Sequence, residues 1–440
     1  MEKGPAASLP AQPGLEELRA RRRESRALYW AAGVFSFFVN LLMLAGPLYM
    51  LLIYDRVLAS QSVESLTALS LLLLFLYGIM AVLDVVRGRV MARVGARLQA
   101  RLDRRVFEAS LSAHRDGARG LADLDALRQF LSAPVFIALF DIPWTPVFLL
   151  AIFLFHPALG WLAFGGAALL VAAALINQTL SRLPQTRAEG AGHTADRLSA
   201  EMRRERETLQ GLGMLGAAFA RWQRARRGAL MDATAAADIG GSIHAMSRAF
   251  RLFLQSAMLG LGALLVLRGE VSAGAMIASS ILLGRALAPV EQALAQWPLV
   301  MRAGRGWSAL AGLLRAVPPA RDRVEMPAPI GLLEVDRVTI TAPGSKRAIL
   351  SNISFSIAPG QACGVIGTSG AGKSALARAI IGLWPLASGT ITLGGARIET
   401  YGSAALGRHL GYLPQRVALL EGTIAENIAR FDPKAPDHAI

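Results

Sequence analysis

"GTSGAGKS", residues 367–374, decides how the C-terminal part of this chain is read. It fits G-x-x-x-x-G-K-[ST], a loop whose backbone N–H groups cradle phosphates. Before it, "ACGVIG" is a short apolar run that reads as a strand. After it, "ALARAIIGL" reads as a helix. The glycines let the backbone curl so that successive N–H groups face one anion. A helix starting near Lys373 turns its positive dipole end to the same place. Gly367, Thr368, Ser369, Gly370, Ala371, Gly372, Lys373 and Ser374 are therefore the candidate nucleotide-binding residues. In such a loop Lys373 serves the β- and γ-phosphates and Ser374 a Mg²⁺ ion.

Outward from the loop, "LLEVDRVTI" and "ILSNISFSI" alternate like strands, with Ile353, Phe355 and Ile357 on one face. "SGTITLGG" is a further strand between turns. This is a strand-rich α/β domain over 332–440. A proline-rich, charged linker, "AVPPARDRVEMPAPIG" at 316–331, precedes it.

The part before the linker follows different rules. Hydrophobic residues make up 53% of the chain and charged residues 18%, a balance that points to membrane spans. Six apolar runs are long enough to cross a bilayer: Trp30 to Ile53, Leu66 to Val86, "APVFIALFDIPWTPVFLLAIFLF", "ALGWLAFGGAALLVAAALI", Phe250 to Leu267, and Ala273 to Val290. Two long polar segments, 87–132 and 177–249, carry most of the arginines. The short turns between spans hold only Arg56 and Arg268. This bias puts both long segments and both termini in the cytoplasm. Apolar residues recur at helical spacing in the long segments, so the spans should continue as long helices. "LEELRARRRESRALYW" (15–30) reads as a basic amphipathic helix lying at the membrane interface. The N-terminal 1–29 and a membrane domain over 30–315 complete the expected organisation.

The formal net charge of +15 raises nucleic acid as a partner. The arginines cluster between apolar runs, and no aromatic-basic module accompanies them, so anionic lipid explains them and nucleic acid is excluded. Cys363 is the one cysteine. It reads as a small buried hydrophobe within its apolar run. The six histidines show no metal-binding spacing. Asp141, in "FDIPW", is an acid inside an apolar run. It is either a functional pathway residue or a partner for a backbone group freed by Pro143 and Pro146.

"LSNISFSIAPGQACGVIGTSGAGKSALARAIIGLWPLASGTITLGG" resembles the start of an ABC transporter nucleotide-binding domain, and "GYLPQRVALLEGTIAENI" resembles the family's Q-loop segment. "NLLMLAGPLYMLLIYDRVLASQSVESL" and "FDIPWTPVFLLAIFLFHPALGWL" are similar to the permease/ATPase subunit of type I protein secretion systems, in the branch that exports proteases, lipases and surface-layer proteins. The resemblance implies a membrane all-α six-helix exporter domain followed by an incomplete α/β P-loop NTPase domain. It implies ATP and Mg²⁺ as cofactors, with Gln415 at the metal and attacking-water region beside Ser374. It implies a multi-pass bacterial inner-membrane protein that is a homodimer. Its partners would be a periplasmic adaptor, an outer-membrane channel and a secreted protein substrate. "HRDGARGLADLDALRQFL" and "ERETLQGLGMLG" would be coupling helices. Three departures accompany the match. "TAPGSKRA" has no aromatic residue to stack on adenine. Ala375 stands where a threonine is usual. No LSGGQ-like signature, Asp-Glu-ended strand or switch histidine follows the Q-loop before Ile440. The chain is therefore expected to bind ATP without hydrolysing it alone. An exporter of lipid or small molecules, a non-catalytic subunit paired with a complete partner, and a non-functional remnant are the alternatives.

Overall fold

The computed structural model describes residues 13–113, 119–319, 327–342, 345, 347–415, 417–433 and 435. The chain separates into two compact units, Met1–Pro319 and Ala320–Ile440.

The first unit is helical. It begins with α1 (Pro13–Arg23). Six helical stretches among the described residues are long and apolar enough to cross a membrane: Arg26–Ser60, Val63–Ser112, Pro134–Phe155, Pro157–Arg204, Leu215–Leu267 and Ala273–Ala295. The first stretch contains α2 (Arg26–Leu42), α3 (Ala45–Leu52), a π-helical turn over Ile53–Val57, and α4 (Leu58–Ser60). The second is α5 (Val63–Ser112), whose first turn is capped by the Ser62 hydroxyl accepting from the Ser65 N–H at 3.1 Å. After α6 (Gly120–Ser132), the third stretch is split into α7 (Pro134–Asp141) and α8 (Thr145–Phe155) by a 3₁₀ turn at Ile142–Trp144. The split falls at Pro143, as expected of a residue without an N–H. Then come α9 (Pro157–Arg204), α10 (Arg206–Gly211), α11 (Leu215–Leu267), α12 (Ala273–Ala295) and α13 (Trp297–Ala316). The helices α5, α9 and α11 have 50, 48 and 53 residues, so the spans do continue as long helices.

Two apolar cores hold this unit. One gathers Met91, Leu98 and Leu102 of α5, Leu124 and Leu127 of α6, and Leu310 of α13. The other gathers Phe148, Ile152, Leu159, Leu254, Met258 and Leu283 from α8, α9, α11 and α12. Helices within a bilayer gain nothing from leaving water, so close packing decides their contacts. Gly166 shows this. A Cβ there would stand 2.0 Å from Leu254 Cδ2. The missing side chain lets α9 approach α11.

The expected single helix over 15–30 is two helices. It breaks at Glu24–Ser25, and residues 26–29 belong to the first spanning stretch. Nor does α1 simply float on a membrane surface. Leu18 is fully buried in the first core, and Gly14 lies against the backbone of Ala311 and Arg315 in α13. Glu17 pairs with Arg105 at 3.3 Å. Arg105 also donates to the carbonyls of Leu314 and Val317 at the end of α13. The apolar side of α1 thus packs on protein.

The second unit is built on a four-stranded antiparallel sheet in the order β2-β1-β3-β4, with β1 (Leu333–Thr341), β2 (Ala348–Ile357), β3 (Leu386–Leu393) and β4 (Ala396–Arg397). Val335 of β1 faces Phe355 of β2 and Ile391 of β3. Ile353, Phe355 and Ile357 share one side of β2, as their alternation predicts. Beneath the sheet, α14 (Lys373–Ile380) contributes Ala375, Leu376 and Ala379 to a core with Val335, Val338 and Ile340. The helices α15 (Ser403–His409) and α16 (Ile424–Ile428) follow.

One expected strand does not form. Residues 362–367, "ACGVIG", form no strand ladder among the described residues, and Ile366 is 95% exposed. An apolar run becomes a strand only through ladder bonds to neighbours, and every ladder here lies in the antiparallel sheet. Cys363 is consequently exposed, not buried.

Candidate functional site

The loop at 367–374 shows the glycine conformations its sequence implies and leads into a helix, but no strand directly precedes it among the described residues. Gly370 and Gly372 take left-handed φ values of 84° and 93°, and Gly372 caps α14, which starts at Lys373. At Gly372 a Cβ would lie 2.8 Å from Leu350 Cδ2, so both conformation and space require glycine. The Lys373 ammonium folds back over the loop and donates to the carbonyls of Gly367 at 2.7 Å and Thr368 at 2.8 Å. The Ala371 N–H donates to the Thr368 carbonyl at 3.2 Å. Residues 367–374 thus turn back on themselves and run into the N-terminus of α14, an end suited to an anion. Ser374 is exposed in the first turn of α14. Ala375, the departure from the usual Lys-Ser-Thr, is buried and anchors α14 to the sheet.

Gln415 lies apart from this arrangement. It is exposed in the irregular stretch between α15 and α16 and makes no hydrogen bond to the loop among the described residues. Beyond it, Thr423 and Glu426 form a capping box on α16, with reciprocal bonds of 3.1 and 2.7 Å. The bonds from the Thr423 backbone and side chain hold the Glu426 carboxyl below the usual range. Part of "TAPGSKRA", Pro343, Gly344 and Lys346, lies outside the described residues, as do residues 114–118 of the first coupling segment.

Asp141 has a partner that the sequence reading did not provide. It accepts from Asn40 Nδ2 at 2.6 Å and from Arg87 Nη1 at 2.8 Å. Arg87 also donates to Ser36 Oγ at 2.9 Å and Asp84 at 2.6 Å. The cluster joins α2, α5 and α7. Neither Pro143 nor Pro146 supplies the group that Asp141 satisfies. The signal was present: an acid within an apolar run needs a cation, and Arg87 stands at the end of the neighbouring span. A second carboxylate, Asp55 in the π turn, accepts from Ser272 Oγ at 2.6 Å and Gly274 N at 2.9 Å. It sits at the start of α12, where negative charge is favoured. No local pattern around Asp55 points to that pairing.

A cavity of about 780 Å³ opens among α6, α9 and α13 and is lined by charged groups including Asp123, Glu189, Arg302 and Arg305. Arg305 pairs with Glu189 at 2.6 Å. Burial pushes the Asp123 carboxyl up to about 6, against the pull of Arg119 and with a smaller push from Glu189.

Residues 29–288 match the model of the ABC transporter transmembrane region, and residues 350–439 match that of the ABC transporter nucleotide-binding family. The chain belongs to the ABC transporter family. Within it, the chain is 40% identical over 427 residues to the type I secretion system ATP-binding protein PrsD of Rhizobium meliloti, covering 96% of this chain and 73% of that protein. It is 24% identical over 420 residues to the cyclolysin secretion/processing ATP-binding protein CyaB of Bordetella pertussis, covering 92% of this chain and 58% of that one. The ATP-dependent lipid A-core flippase of Pseudomonas fluorescens is 35% identical over 169 residues, 38% of this chain and 28% of the flippase. Among solved structures, a bacterial Atm1-family ABC exporter with ATP bound superimposes with a TM-score of 0.71 at 19% identity, over 94% of this chain and 75% of that one. The architecture of this ABC exporter is therefore six long apolar helices followed by part of an ATPase domain. Its ATPase-domain match carries ATP binding with it.

Proposed function

We propose that this ABC exporter is the permease and ATPase subunit of a type I secretion system that drives a protein substrate across the bacterial inner membrane. The observation that carries the reading is the 40% identity to a type I secretion ATP-binding protein, which runs through spans and phosphate loop alike over 96% of the chain. The likeness to a lipid A-core flippase covers 38% of the chain and supports a lipid substrate correspondingly less.

Bound ATP supplies the free energy of γ-phosphate transfer. The residues 367–374 bind and orient it. The loop N–H groups and the α14 N-terminus take the phosphate charge. Lys373 exchanges its two carbonyl partners, Gly367 and Thr368, for phosphate oxygens. The Ser374 hydroxyl and the Gln415 side chain would be the residues to hold Mg²⁺, which would neutralise phosphate charge. We assign no hydrolytic step to residues 332–440, which contain no LSGGQ-like stretch and no Asp-Glu-ended strand. The arginine-rich segments and both termini face the cytoplasm. A homodimer, a periplasmic adaptor and an outer-membrane channel complete the assembly.

The test uses secreting cells and the purified protein together. Lys373→Ala should abolish secretion of the substrate and weaken binding of a fluorescent ATP analogue at least about tenfold, the scale of losing one charge-assisted contact. Secretion that survives Lys373→Ala, or lipid flipping without protein export in vesicles, would overturn the proposal.

A further inference from the structure

A second cavity, about 560 Å³, lies where the chain enters its first apolar run. It falls in the size range of small-ligand sites. Its wall includes Phe130, Leu131, Phe136 and Trp307. Among its lining residues Arg22 is the only charged side chain and Tyr29 carries the only hydroxyl. Arg22 stacks its guanidinium over the Trp307 ring at 5.7 Å and has no ion pair among the described residues. The nearby acids are taken. Glu17 pairs with Arg105, and Glu24 with Arg21. Arg19, Arg23 and Arg26 add further exposed positive charge to the same N-terminal stretch. Trp30, next to Tyr29, is 78% exposed at the first residue of the apolar run. Exposed tryptophan and tyrosine mark the headgroup level of a bilayer. The site therefore combines an apolar slot, a free cation at its mouth and a place at the membrane boundary.

We propose that this cavity binds one anionic phospholipid of the adjoining leaflet, with its phosphate on Arg22 and an acyl chain between Phe136 and Trp307. A zwitterionic lipid fills the slot equally well but brings no net charge to a cluster of unpaired arginines. The lipid bridges α1, α2, α5, α6, α7 and α13. It links the N-terminal helix to the helix that ends the membrane unit.

The cavity contains its own reporter and its own plug. Trp307 lines it. Gly304 lines it too, and a Cβ added there meets nothing within 4 Å, so Gly304→Leu extends into open space. The protein is reconstituted in phosphatidylcholine vesicles containing either phosphatidylglycerol or phosphatidylcholine with dibrominated acyl chains, which quench tryptophan. Subtracting the Trp307→Phe signal isolates the cavity. The brominated anionic lipid should quench at about fivefold lower mole fraction than the zwitterionic one, the factor given by one arginine near a lipid surface. Arg22→Gln, at an exposed position that leaves folding intact, should equalise the two lipids, and Arg22→Lys should keep the preference. Gly304→Leu should remove the quenching with an unchanged melting profile. Equal quenching by both lipids in the unmodified protein, quenching that persists in Gly304→Leu, or no quenching of Trp307 would each overturn the proposal.

Discussion

Arg87→Met should be the most damaging single change in the polar cluster that joins α2, α5 and α7. The Arg87 and Asp141 side chains are 6% and 13% exposed. Removing one partner of a pair this buried leaves an uncompensated charge, which costs about 3–5 kcal/mol. Asp141 would keep only Asn40, whose Nδ2 already divides itself between Asp141 and the Ser36 carbonyl. Asp141→Asn is milder, because Arg87 retains Asp84 at 2.6 Å. Its expected cost is about 1–3 kcal/mol, the range for leaving a buried group less well paired. Asp84→Asn removes a carboxylate that is 57% exposed, so it should cost at most about 1 kcal/mol. The double change Arg87→Met with Asp141→Leu replaces the pair by apolar groups and should recover most of the single-variant loss. The assay is equilibrium unfolding of the purified protein in mixed dodecylmaltoside and dodecylsulfate micelles, followed by tryptophan fluorescence. The reasoning fails if Arg87→Met costs less than Asp84→Asn, or if the double variant loses the sum of its two singles.

The close approach at Gly166 gives a second test. Gly166→Ala should destabilise the α9–α11 contact by about 1–3 kcal/mol through overpacking, and Leu254→Ala in the same chain should restore part of that, read in the same micelles. Asp123 gives a pH dependence with a definite sign. Its folded value of about 6 lies above the ordinary 3.8, so the folded state holds the proton more tightly. Acidification through about pH 6 therefore stabilises the protein until the unfolded value is passed near pH 4. Asp123→Asn should flatten the rise in melting temperature between about pH 7 and pH 5; an unchanged slope refutes the assignment. Asp55→Ala removes both the Ser272 and Gly274 bonds at the start of α12 and should cost about 1–2 kcal/mol, the scale of losing a helix cap. A melting temperature equal to that of the parent would show that the π turn holds α12 without its carboxylate.

Local signals were the legible ones. The six spans and the continuation of α5, α9 and α11 follow from run length and periodicity alone. The loop at 367–374 carries its conformation in its glycines, and α14 begins at the residue the pattern names. Relations between distant residues were not legible. Arg87 looked like the first of many cytoplasmic arginines, because nothing in its neighbours shows that Asp141, 54 positions away, lies within reach. The docking of α1 was hidden for the same reason, since an amphipathic helix has the same pattern whether its apolar side meets lipid or α13. The run at 362–367 misled in the opposite direction. Its apolar residues have strand propensity, but pairing is a property of neighbours.

The lengths of three helices carry a mechanical consequence. At about 1.5 Å per residue, α5, α9 and α11 are each roughly 72–80 Å long, against a hydrocarbon layer of about 30 Å. More than half of each rod projects beyond the bilayer. Such rods act as levers with a long outer arm. A tilt of about 5° at the membrane face displaces a tip about 45 Å away by about 4 Å, roughly three quarters of the pitch of one helical turn. Two of the three are packed side by side as α9 and α11, so they resist bending together. Pro184 interrupts the bond ladder of α9 outside the apolar run, and that is where this pair has its most compliant point. Small motions at the outer tips are thereby geared to smaller, stiffer ones among the spans.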